Sequence, residues 1–171
     1  MTKTYILTGG PGTGKSSLIL ALEQRGEYTI REAAEDHIKL RQANGIKEPW
    51  TEPDFQDLIL DLQLRREERI PKETEKAFID RGLPDGLAYA KEGTATYERI
   101  FSESRNKNYT TIFLVETLGT TEKTETRREN HEEATKLGNK LEKIYTQLGY
   151  KPIRIKTGTL QERLEEILNN L

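Results

Sequence analysis

The chain contains no cysteine, and this absence excludes disulfide bonds and thiolate chemistry. Only two histidines are present, His37 and His131, and their separation fits no metal-ligand spacing. The sequence also lacks any apolar run near the roughly 18 residues that a membrane-spanning helix requires. We therefore expect a protein without membrane contact and without a metal centre built from cysteine or histidine.

No charge of one sign dominates the chain. Its 27 basic residues nearly balance its 29 acidic residues and leave a net charge of −2, which gives no indication of a nucleic-acid partner. Charged residues make up 33% of the sequence and the mean hydropathy is −0.80, as expected for a very soluble protein with amphipathic helices. The 171 residues fit a single domain. A strand that begins by residue 4 leaves no room for a removable signal peptide, so we expect the protein to stay in the cytoplasm.

The most informative segment that is present is GGPGTGKS at residues 9–16, which matches the pattern G-x-x-x-x-G-K-[ST]. The preceding residues 4–8 are β-branched and aromatic, as in a buried strand, and residues 17–22 favour a helix. This strand, turn and helix context distinguishes a phosphate-binding loop from a glycine-rich connection. The sequence therefore predicts a protein that binds a nucleoside triphosphate.

Each part of this loop has a chemical task. The glycines allow successive backbone N–H groups to point at phosphate oxygens, and the following helix contributes its positive N-terminal end. Lys15 is predicted to reach the β- and γ-phosphates, and the Ser16 hydroxyl to bind Mg²⁺. ATP and Mg²⁺ are thus the expected ligands. The residues predicted to contact the nucleotide are Gly10, Pro11, Gly12, Thr13, Gly14, Lys15, Ser16 and Ser17.

Strand and helix patterns alternate along the rest of the chain. Apolar runs predict five strands, at residues 4–8, 28–30, 77–80, 111–115 and 153–155. Further helical patterns occupy residues 32–42, 55–70, 87–90, 97–101, 134–148 and 160–171. This alternation predicts an α/β fold, a P-loop NTPase three-layer sandwich with a five-stranded parallel sheet and helices on both faces, as one domain over residues 1–171. In such sheets ligands bind at the carboxyl ends of the strands.

Two of these helices have apolar faces that we expect to point inward. The face of the helix at residues 55–70 is predicted to consist of Phe55, Leu58, Ile59 and Leu62. The face of the last helix is predicted to consist of Leu164, Ile167, Leu168 and Leu171.

Acidic residues follow three of the predicted strands. Asp80 ends the third strand, where it could hold Mg²⁺ beside Ser16, and the adjacent Arg81 could bind a phosphate or the acceptor of a phosphoryl group. The alternative is a local ion pair in a surface turn. Glu116 ends the fourth strand and is the rival candidate for the Mg²⁺ role. Glu32 follows the second strand and is either a base for an acceptor hydroxyl or a helix N-terminal acid that the helix dipole favours.

A polar segment at about residues 118–130 contains two adjacent arginines, Arg127 and Arg128. In phosphoryl transfer, arginines on a closing segment neutralise charge on the transferring group and exclude water. Adjacent arginines also occur at the solvated start of a helix. Two interpretations therefore stay open, a lid that supplies Arg127 or Arg128 to catalysis and an exposed helix start.

The motifs together resemble a known family. The segments that carry the resemblance are residues 9–16, Glu32-Ala33-Ala34, Pro49-Trp50, residues 78–85 (FIDRGLPD), Arg127-Arg128-Glu129 and Leu148-Gly149-Tyr150. Their combination resembles the small single-domain P-loop proteins known as AAA-type ATPases, which are closer to nucleoside and nucleotide kinases than to ring-forming motors. It is also similar to the nicotinamide-riboside-kinase domains of bifunctional proteins of NAD metabolism. The resemblance extends over nearly the whole chain and implies a nucleoside/nucleotide-kinase-like fold.

The resemblance also implies roles for individual residues. In the related deoxynucleoside kinases, an acid–arginine pair after the third strand serves Mg²⁺ and phosphate, and a glutamate after the second strand is the base. These roles fall on Asp80, Arg81 and Glu32, whereas Gly82 stands where those kinases have a serine. The candidate catalytic residues are Lys15, Glu32, Asp80, Arg81, Arg127 and Arg128, and the candidate metal ligands are Ser16 and Asp80.

Two functions remain as hypotheses. The first is a small-molecule kinase that moves the γ-phosphoryl group of Mg·ATP to a nucleoside-like or other small acceptor. The second is an ATPase or regulatory nucleotide switch that acts on a protein partner. A ring-forming motor would need an additional helical domain, for which 171 residues leave no room. A GTPase would need an Asn-Lys-x-Asp motif, and the sequence NKNY at residues 106–109 lacks its aspartate.

Overall fold

The computed structural model describes residues 1–118 and 131–171, and its strands form one parallel sheet. The strands are β1 (Lys3–Thr8), β2 (Tyr28–Ile30), β3 (Lys76–Asp80), β4 (Thr111–Val115) and β5 (Ile153–Ile155). Their order across the sheet is β2-β3-β1-β4-β5, and each pair of neighbours is parallel. The five-stranded parallel sheet that the sequence predicts is confirmed.

Helices follow the strands in the alternation that the sequence predicts. They are α1 (Lys15–Gln24), α2 (Ala33–Ala43), α3 (Phe55–Glu68), α4 (Ala95–Arg105), α5 (His131–Gln147) and α6 (Leu160–Leu168). Two short 3₁₀ helices, Pro49–Thr51 and Leu83–Ala88, are also present. Within residues 1–118 and 131–171, none of the helices combines the length and the hydropathy that a membrane crossing needs.

Alternate residues of the central strand pack on opposite layers of helices. Tyr5 and Leu7 of β1 belong to a buried cluster that includes apolar residues of α1 and α6. Ile6, between them, belongs to a second cluster with Tyr145 of α5. A third cluster joins α3, α4 and the 3₁₀ helix Leu83–Ala88, and it consists of Leu60, Leu83, Leu87 and Ile100. The sheet is therefore covered on both faces, which explains the continuous apolar sequence of its central strands and confirms the three-layer fold.

Some details of the helices differ from the sequence-based expectation. The helix expected at residues 87–90 is instead the 3₁₀ helix Leu83–Ala88. A turn opens this helix, in which Asp85 N donates to Gly82 O at 3.1 Å and Gly82 N donates to Asp85 Oδ2 at 3.1 Å. Gly86, in the middle of this segment, disfavours a regular α-helix. The expected inward position of Leu171 is also wrong, because α6 ends at Leu168 and the Leu171 side chain is exposed.

The buried face of α3 also differs from the prediction. Phe55 is buried as expected, but Leu58, Ile59 and Leu62 are only half-buried. The other buried positions are Leu60 and Gln63. Helix α3 packs against α2 on the one hand and against α4 and the 3₁₀ helix Leu83–Ala88 on the other. Because its neighbours divide its surface in this way, a single apolar stripe does not identify its buried side.

Candidate active site

The phosphate loop connects β1 to α1, and close backbone packing requires glycine at two of its positions. A Cβ on Gly9, whose φ is +140°, would lie 2.5 Å from the carbonyl oxygen of Val115 on β4. A Cβ on Gly10 would lie 2.9 Å from the Cα of Ala134 on α5. Gly14, with φ +87°, immediately precedes the first turn of α1. The loop is therefore enclosed by β4 and α5 and leads into the positive end of α1.

The Lys15 ammonium group folds back onto this loop. Its Nζ donates to Gly10 O at 2.8 Å and to Thr13 Oγ1 at 3.3 Å. The Thr13 hydroxyl in turn donates to Gly10 O at 3.0 Å. Lys15 is only 5% exposed, so its charge is held inside the loop region. A phosphate oxygen that entered the loop would compete with Gly10 O for the same ammonium donor.

Ser16 and Asp80 meet at the junction of α1 and β3. The Ser16 hydroxyl is exposed and donates to Asp80 Oδ2 at 3.2 Å, whereas Asp80 itself is buried. The second carboxylate oxygen, Oδ1, has no hydrogen-bond partner among the described residues. Burial raises the pKa of Asp80 to about 6, although the nearby Lys15 charge opposes this rise. An unpartnered carboxylate oxygen beside a hydroxyl fits a hard cation such as Mg²⁺, which prefers oxygen ligands.

Arg81 follows Asp80 in an unusual backbone conformation. Its φ of +68° is the only positive value for a non-glycine residue in the described ranges. Both of its backbone groups are bonded, since Arg81 N donates to Leu7 O at 3.0 Å and Gln63 Nε2 donates to Arg81 O at 2.5 Å. A left-handed conformation at a bulky residue is costly and persists only where the surroundings enforce it. Here it turns the chain from β3 into the 3₁₀ helix and leaves the Arg81 side chain buried.

The Arg81 guanidinium lies between two buried carboxylates. Its Nε is 3.2 Å from Glu32 Oε1, and its Nη1 donates to Asp85 Oδ1 at 3.1 Å. Its Nη2 is buried without a hydrogen-bond partner among the described residues, and the ring of Tyr89 lies 5.9 Å from Cζ. Glu32, which immediately precedes α2, is also buried. The predicted surface-turn alternative for Arg81 is therefore wrong, because its ion pairs are buried.

Asp85 serves the fold around Arg81. Its carboxylate accepts hydrogen bonds from Thr8 Oγ1 at 2.7 Å, Tyr145 Oη at 2.6 Å, the Gly82 N–H and the Arg81 guanidinium. Burial and the Asp85 charge raise the pKa of Tyr145, so its hydroxyl keeps the proton that it donates. Asp85 thus connects β1, α5 and the Arg81 turn.

A small pocket begins beside Glu32 and Arg81. Its free volume is about 40 Å³, which is room for a few water molecules or a small polar group. The apolar part of its wall comes from Ile59, Leu60, Leu83 and Ile100, and Gln56, Gln63 and Tyr89 complete the polar part. Any larger molecule would require the surrounding helices or the half-exposed Tyr89 to move.

A second cleft, of about 440 Å³, borders the phosphate loop. Gly10 and Thr13 of the loop, Glu116 and Thr117 after β4, Gly138 of α5 and Arg154 of β5 are among its lining residues. Glu116 pairs with Arg154, with Oε1 and Nη1 3.2 Å apart. The Ser16 hydroxyl donates to Asp80 and not to Glu116. Of the two acids that the sequence proposes for Mg²⁺, only Asp80 therefore contacts the Ser16 hydroxyl in the described residues.

The remaining sequence candidates have diverse positions. Pro11 is buried, while Gly12 and Ser17 are exposed. Arg127 and Arg128 lie outside the described residues, as does most of the segment at 118–130. Lys15, Ser16, Glu32, Asp80 and Arg81 are the candidates that the fold brings together.

Sequence patterns assigned no role to three buried polar residues around this site. Tyr145 donates to Asp85 beside the Arg81 turn, and Gln63 donates to the Arg81 backbone. Arg163 of α6 contacts the phosphate loop, with Nη1 donating to Thr13 O at 2.7 Å. The only sequence signal for Gln63, Tyr145 and Arg163 is a polar group on an otherwise apolar helix face. That signal does not specify a partner.

Comparison with known proteins identifies both a family and a fold. A family model described as an AAA domain matches residues 4–163. No curated protein sequence matches the chain. The expected nucleoside/nucleotide-kinase-like fold is confirmed by similar solved structures.

Three of these structures illustrate the likeness. The NadR protein in complex with NAD and AMP-PNP aligns with a TM-score of 0.72 and 16% identity over 97% of this chain and 48% of the NadR chain. This chain thus spans about half the length of that relative. Deoxyadenosine kinase from M. mycoides aligns with a TM-score of 0.68 and 12% identity over 98% and 97% of the two chains. Thymidylate kinase from Candida albicans aligns with a TM-score of 0.61 and 10% identity over 99% and 90%. At such identities the likeness concerns the fold.

Proposed function

The chain belongs to the AAA-domain family, and from that membership and the site geometry we propose that it is a small-molecule kinase. It binds Mg·ATP at the loop of residues 9–16 and at Ser17. It then transfers the γ-phosphoryl group to a nucleoside-like or other small acceptor. The support comes from the loop, from the acids beside it and from the pocket that begins at Glu32.

The observation that carries the proposal is the buried Glu32–Arg81 pair in the wall of a pocket. Arg81 directly follows Asp80, whose carboxylate accepts a hydrogen bond from Ser16 at the end of the phosphate loop. A protein that only hydrolyses ATP needs a site for one water molecule. This pocket also has an apolar wall from α3, α4 and the 3₁₀ helix, which suits the carbon skeleton of an acceptor. Its small volume is consistent with a site that opens when an acceptor binds.

Nucleotide binding would use the bonds that now close the loop on itself. The γ-phosphate would take the place of Gly10 O as a partner of Lys15, and loop N–H groups would surround the β-phosphate. Ser16 and Asp80 are the residues that would hold Mg²⁺, which supplies charge neutralisation on the phosphates when bound. The larger cleft beside Thr13 has the room for the nucleoside part of ATP.

In the transfer step, the acceptor oxygen attacks the γ-phosphorus while the bond to the bridging β–γ oxygen breaks and ADP leaves. Glu32 accepts the proton of an acceptor hydroxyl. Arg81 orients Glu32 through its Nε, and its unpartnered Nη2 can donate to the acceptor or to the transferring group. Arg127 or Arg128 would add positive charge from the segment at 118–130.

The names of the similar structures suggest which acceptors to test first. They include a deoxyadenosine kinase, a thymidylate kinase and NadR in complex with NR. Nucleosides and nucleotides are therefore the first pure compounds to offer. A desalted metabolite pool covers other small acceptors.

The deciding experiment measures ADP release from Mg·ATP with and without these acceptors, with Lys15→Ala as the blank. A kinase gives ADP release that the acceptor stimulates and that the blank lacks. Slow ADP release that no acceptor changes would instead support the alternative, an ATPase or nucleotide switch with a protein partner.

Two variants on one helix junction test the role of Glu32. Glu32→Gln should reduce kcat by about 10²- to 10⁴-fold, as expected when a general base is removed, while the affinity for ATP stays unchanged. The matched control is Glu35→Gln, because Glu35 lies on α2 and is paired only with Lys39 in the described contacts. The control should keep the wild-type rate. Full activity in Glu32→Gln would exclude Glu32 as the base.

A further inference from the structure

Arg163 is a buried arginine that neither the loop motif nor the proposed transfer step uses. It lies on α6, is 3% exposed, and donates from Nη1 to Thr13 O at 2.7 Å and from Nη2 to Glu116 O at 2.8 Å. One guanidinium therefore joins the last helix, the phosphate loop and the end of β4. These two carbonyls are 150 and 47 residues away in sequence.

The bond to Thr13 O determines how the next peptide group is oriented. The Thr13 carbonyl and the Gly14 N–H belong to the same planar trans peptide, so they point in opposite directions. A donor that holds the carbonyl on the α6 side directs the Gly14 N–H away from α6. A charged donor also polarises the peptide and makes that N–H a stronger donor.

The surroundings leave this arrangement little freedom. A Cβ on Gly14 would lie 3.1 Å from Arg163 Nη1, so the arginine occupies the space next to the Gly14 Cα. Gly14 has φ +87° and immediately precedes α1. The N–H groups at such a junction are those that bind phosphate in loops of this sequence.

Among the described residues, the Arg163 guanidinium forms no ion pair. In residues 1–118 and 131–171, no carboxylate oxygen is paired with the guanidinium, whose two described bonds go to backbone carbonyls. Burial lowers the pKa of Arg163, although Glu116 and Glu166 act in the opposite direction. A buried cation without a paired carboxylate raises the electrostatic potential of the loop beside it.

We propose that Arg163 is a positioning residue for the triphosphate. It fixes the Thr13–Gly14 peptide so that the Gly14 N–H faces the bound phosphates. Its charge strengthens the hydrogen bond from this N–H to a phosphate oxygen. The inference rests on the proposed binding of ATP to the loop. It does not depend on the identity of the acceptor or on phosphoryl transfer.

The test compares the affinities of ATP and inorganic tripolyphosphate for wild-type protein, Arg163→Met, Arg163→Lys and Arg99→Met by calorimetry. Arg163→Met should lower the affinity for both ligands by the same factor, about tenfold or more, because only phosphate binding is lost. Arg163→Lys keeps the charge but replaces the forked guanidinium with one ammonium group, so its affinities should be intermediate. Arg99→Met is the matched control, because Arg99 is an exposed arginine of α4 paired with Asp57 and Asp61. It should bind as the wild type does.

A second measurement separates positioning from a general loss of structure. The Gly14 amide proton should move downfield when tripolyphosphate binds the wild-type protein, and less so in both Arg163 variants. If Arg163→Met does not fold, the same comparison with Arg163→Lys decides. Wild-type affinity in the Arg163 variants, or a loss for ATP but not for tripolyphosphate, would overturn the inference. A wild-type protein that binds neither ligand would instead refute the proposed function.

Discussion

Two buried aspartates near the end of β3 differ in how the fold uses them. Asp85 accepts bonds from four donors on three parts of the chain. Asp80 accepts one from Ser16, and its other oxygen has no hydrogen-bond partner in the described residues. A buried carboxylate that is fully bonded stabilises the structure around it, whereas one with an unpartnered oxygen costs stability. The unpartnered oxygen of Asp80 therefore agrees with its proposed role as a Mg²⁺ ligand.

This cost should be measurable as a pH-dependent stability. Burial raises the pKa of Asp80 from 3.8 to about 6. Between these two pH values, the folded protein therefore holds a proton on Asp80 that the unfolded chain releases. Stability is then lost as the pH rises between about 4 and 6 and stays lower above this range. Asp80→Asn removes the penalty. In EDTA, we expect it to raise the free energy of unfolding by about 1–3 kcal/mol at pH 7.5 and to leave it unchanged near pH 4.

Urea unfolding at the two pH values checks this expectation. Asp61→Asn is the control, since Asp61 is a partly exposed aspartate paired with Arg99. It should change stability by less than about 1 kcal/mol at either pH. An Asp80→Asn variant that is less stable than wild type at pH 7.5 would show that burial of the Asp80 charge is compensated.

Residues at strand ends could be predicted from the sequence, while residues that act through tertiary contacts could not. Lys15 and Ser16 belong to a local motif, and Glu32, Asp80 and Arg81 directly follow apolar runs whose ends meet at one edge of a parallel sheet. Tyr145 reaches Asp85 across 60 residues and Arg163 reaches Thr13 across 150. Neither contact has a local pattern, because it depends on how the helices pack on the sheet.

At the scale of elements, the shape of the phosphate loop depends on the elements that pack against it as well as on its glycines. The first turn of α5 crosses the loop so closely that Gly10 has no space for a side chain. The obstructing atoms belong to the backbone of Ala134, which a rotamer change cannot move. The loop and α5 must therefore shift together if either one moves.

Two glycine-to-alanine substitutions should distinguish the steric effect of this close packing on stability from the general effect of replacing glycine. Gly10→Ala forces a Cβ to within 2.9 Å of the Ala134 Cα, so we expect a loss of about 1–3 kcal/mol in the free energy of unfolding. Gly138→Ala lies within α5, where a Cβ would meet nothing within 4 Å. It should raise stability by about 0.5–1 kcal/mol through helix propensity.

Urea denaturation of the two variants measures both the expected loss and the expected gain in the free energy of unfolding. Equal effects in the two variants would mean that α5 does not press on the loop. A loss in Gly10→Ala with an unchanged m-value would show that the native packing, rather than the unfolded chain, is affected.

The elements themselves were predictable to different degrees. All five strands follow from apolar runs, because the strand positions that are buried on either face of a covered sheet need apolar residues. The 3₁₀ helix Leu83–Ala88 does not follow from such a run. The two hydrogen bonds between Asp85 and Gly82 form a tight turn there that the weak helical pattern does not show. Leu171 shows the limit of periodicity, since a repeat can continue past the point where its helix ends.

At the scale of the whole molecule, a ligand that binds only the folded chain should stabilise all of it. The proposed ATP site joins β1 and α1 to the end of β3, and its surroundings include β4, α5 and α6. Local unfolding of any of these elements would disrupt the site. Bound nucleotide should therefore raise the temperature of a single global transition.

Mg·ATP at about 100 times its Kd should add about 2.7 kcal/mol to the free energy of unfolding. For a chain of 171 residues, each kcal/mol raises the melting temperature by about 2–4 °C, so we expect an increase of about 5–10 °C. Differential scanning fluorimetry measures it. Lys15→Ala should lose most of the increase because it removes the phosphate-binding ammonium group, and Ser16→Ala should lose the part that depends on Mg²⁺. An equal increase in wild type and Lys15→Ala would mean that ATP binds away from the loop, and the kinase proposal would then lose its site.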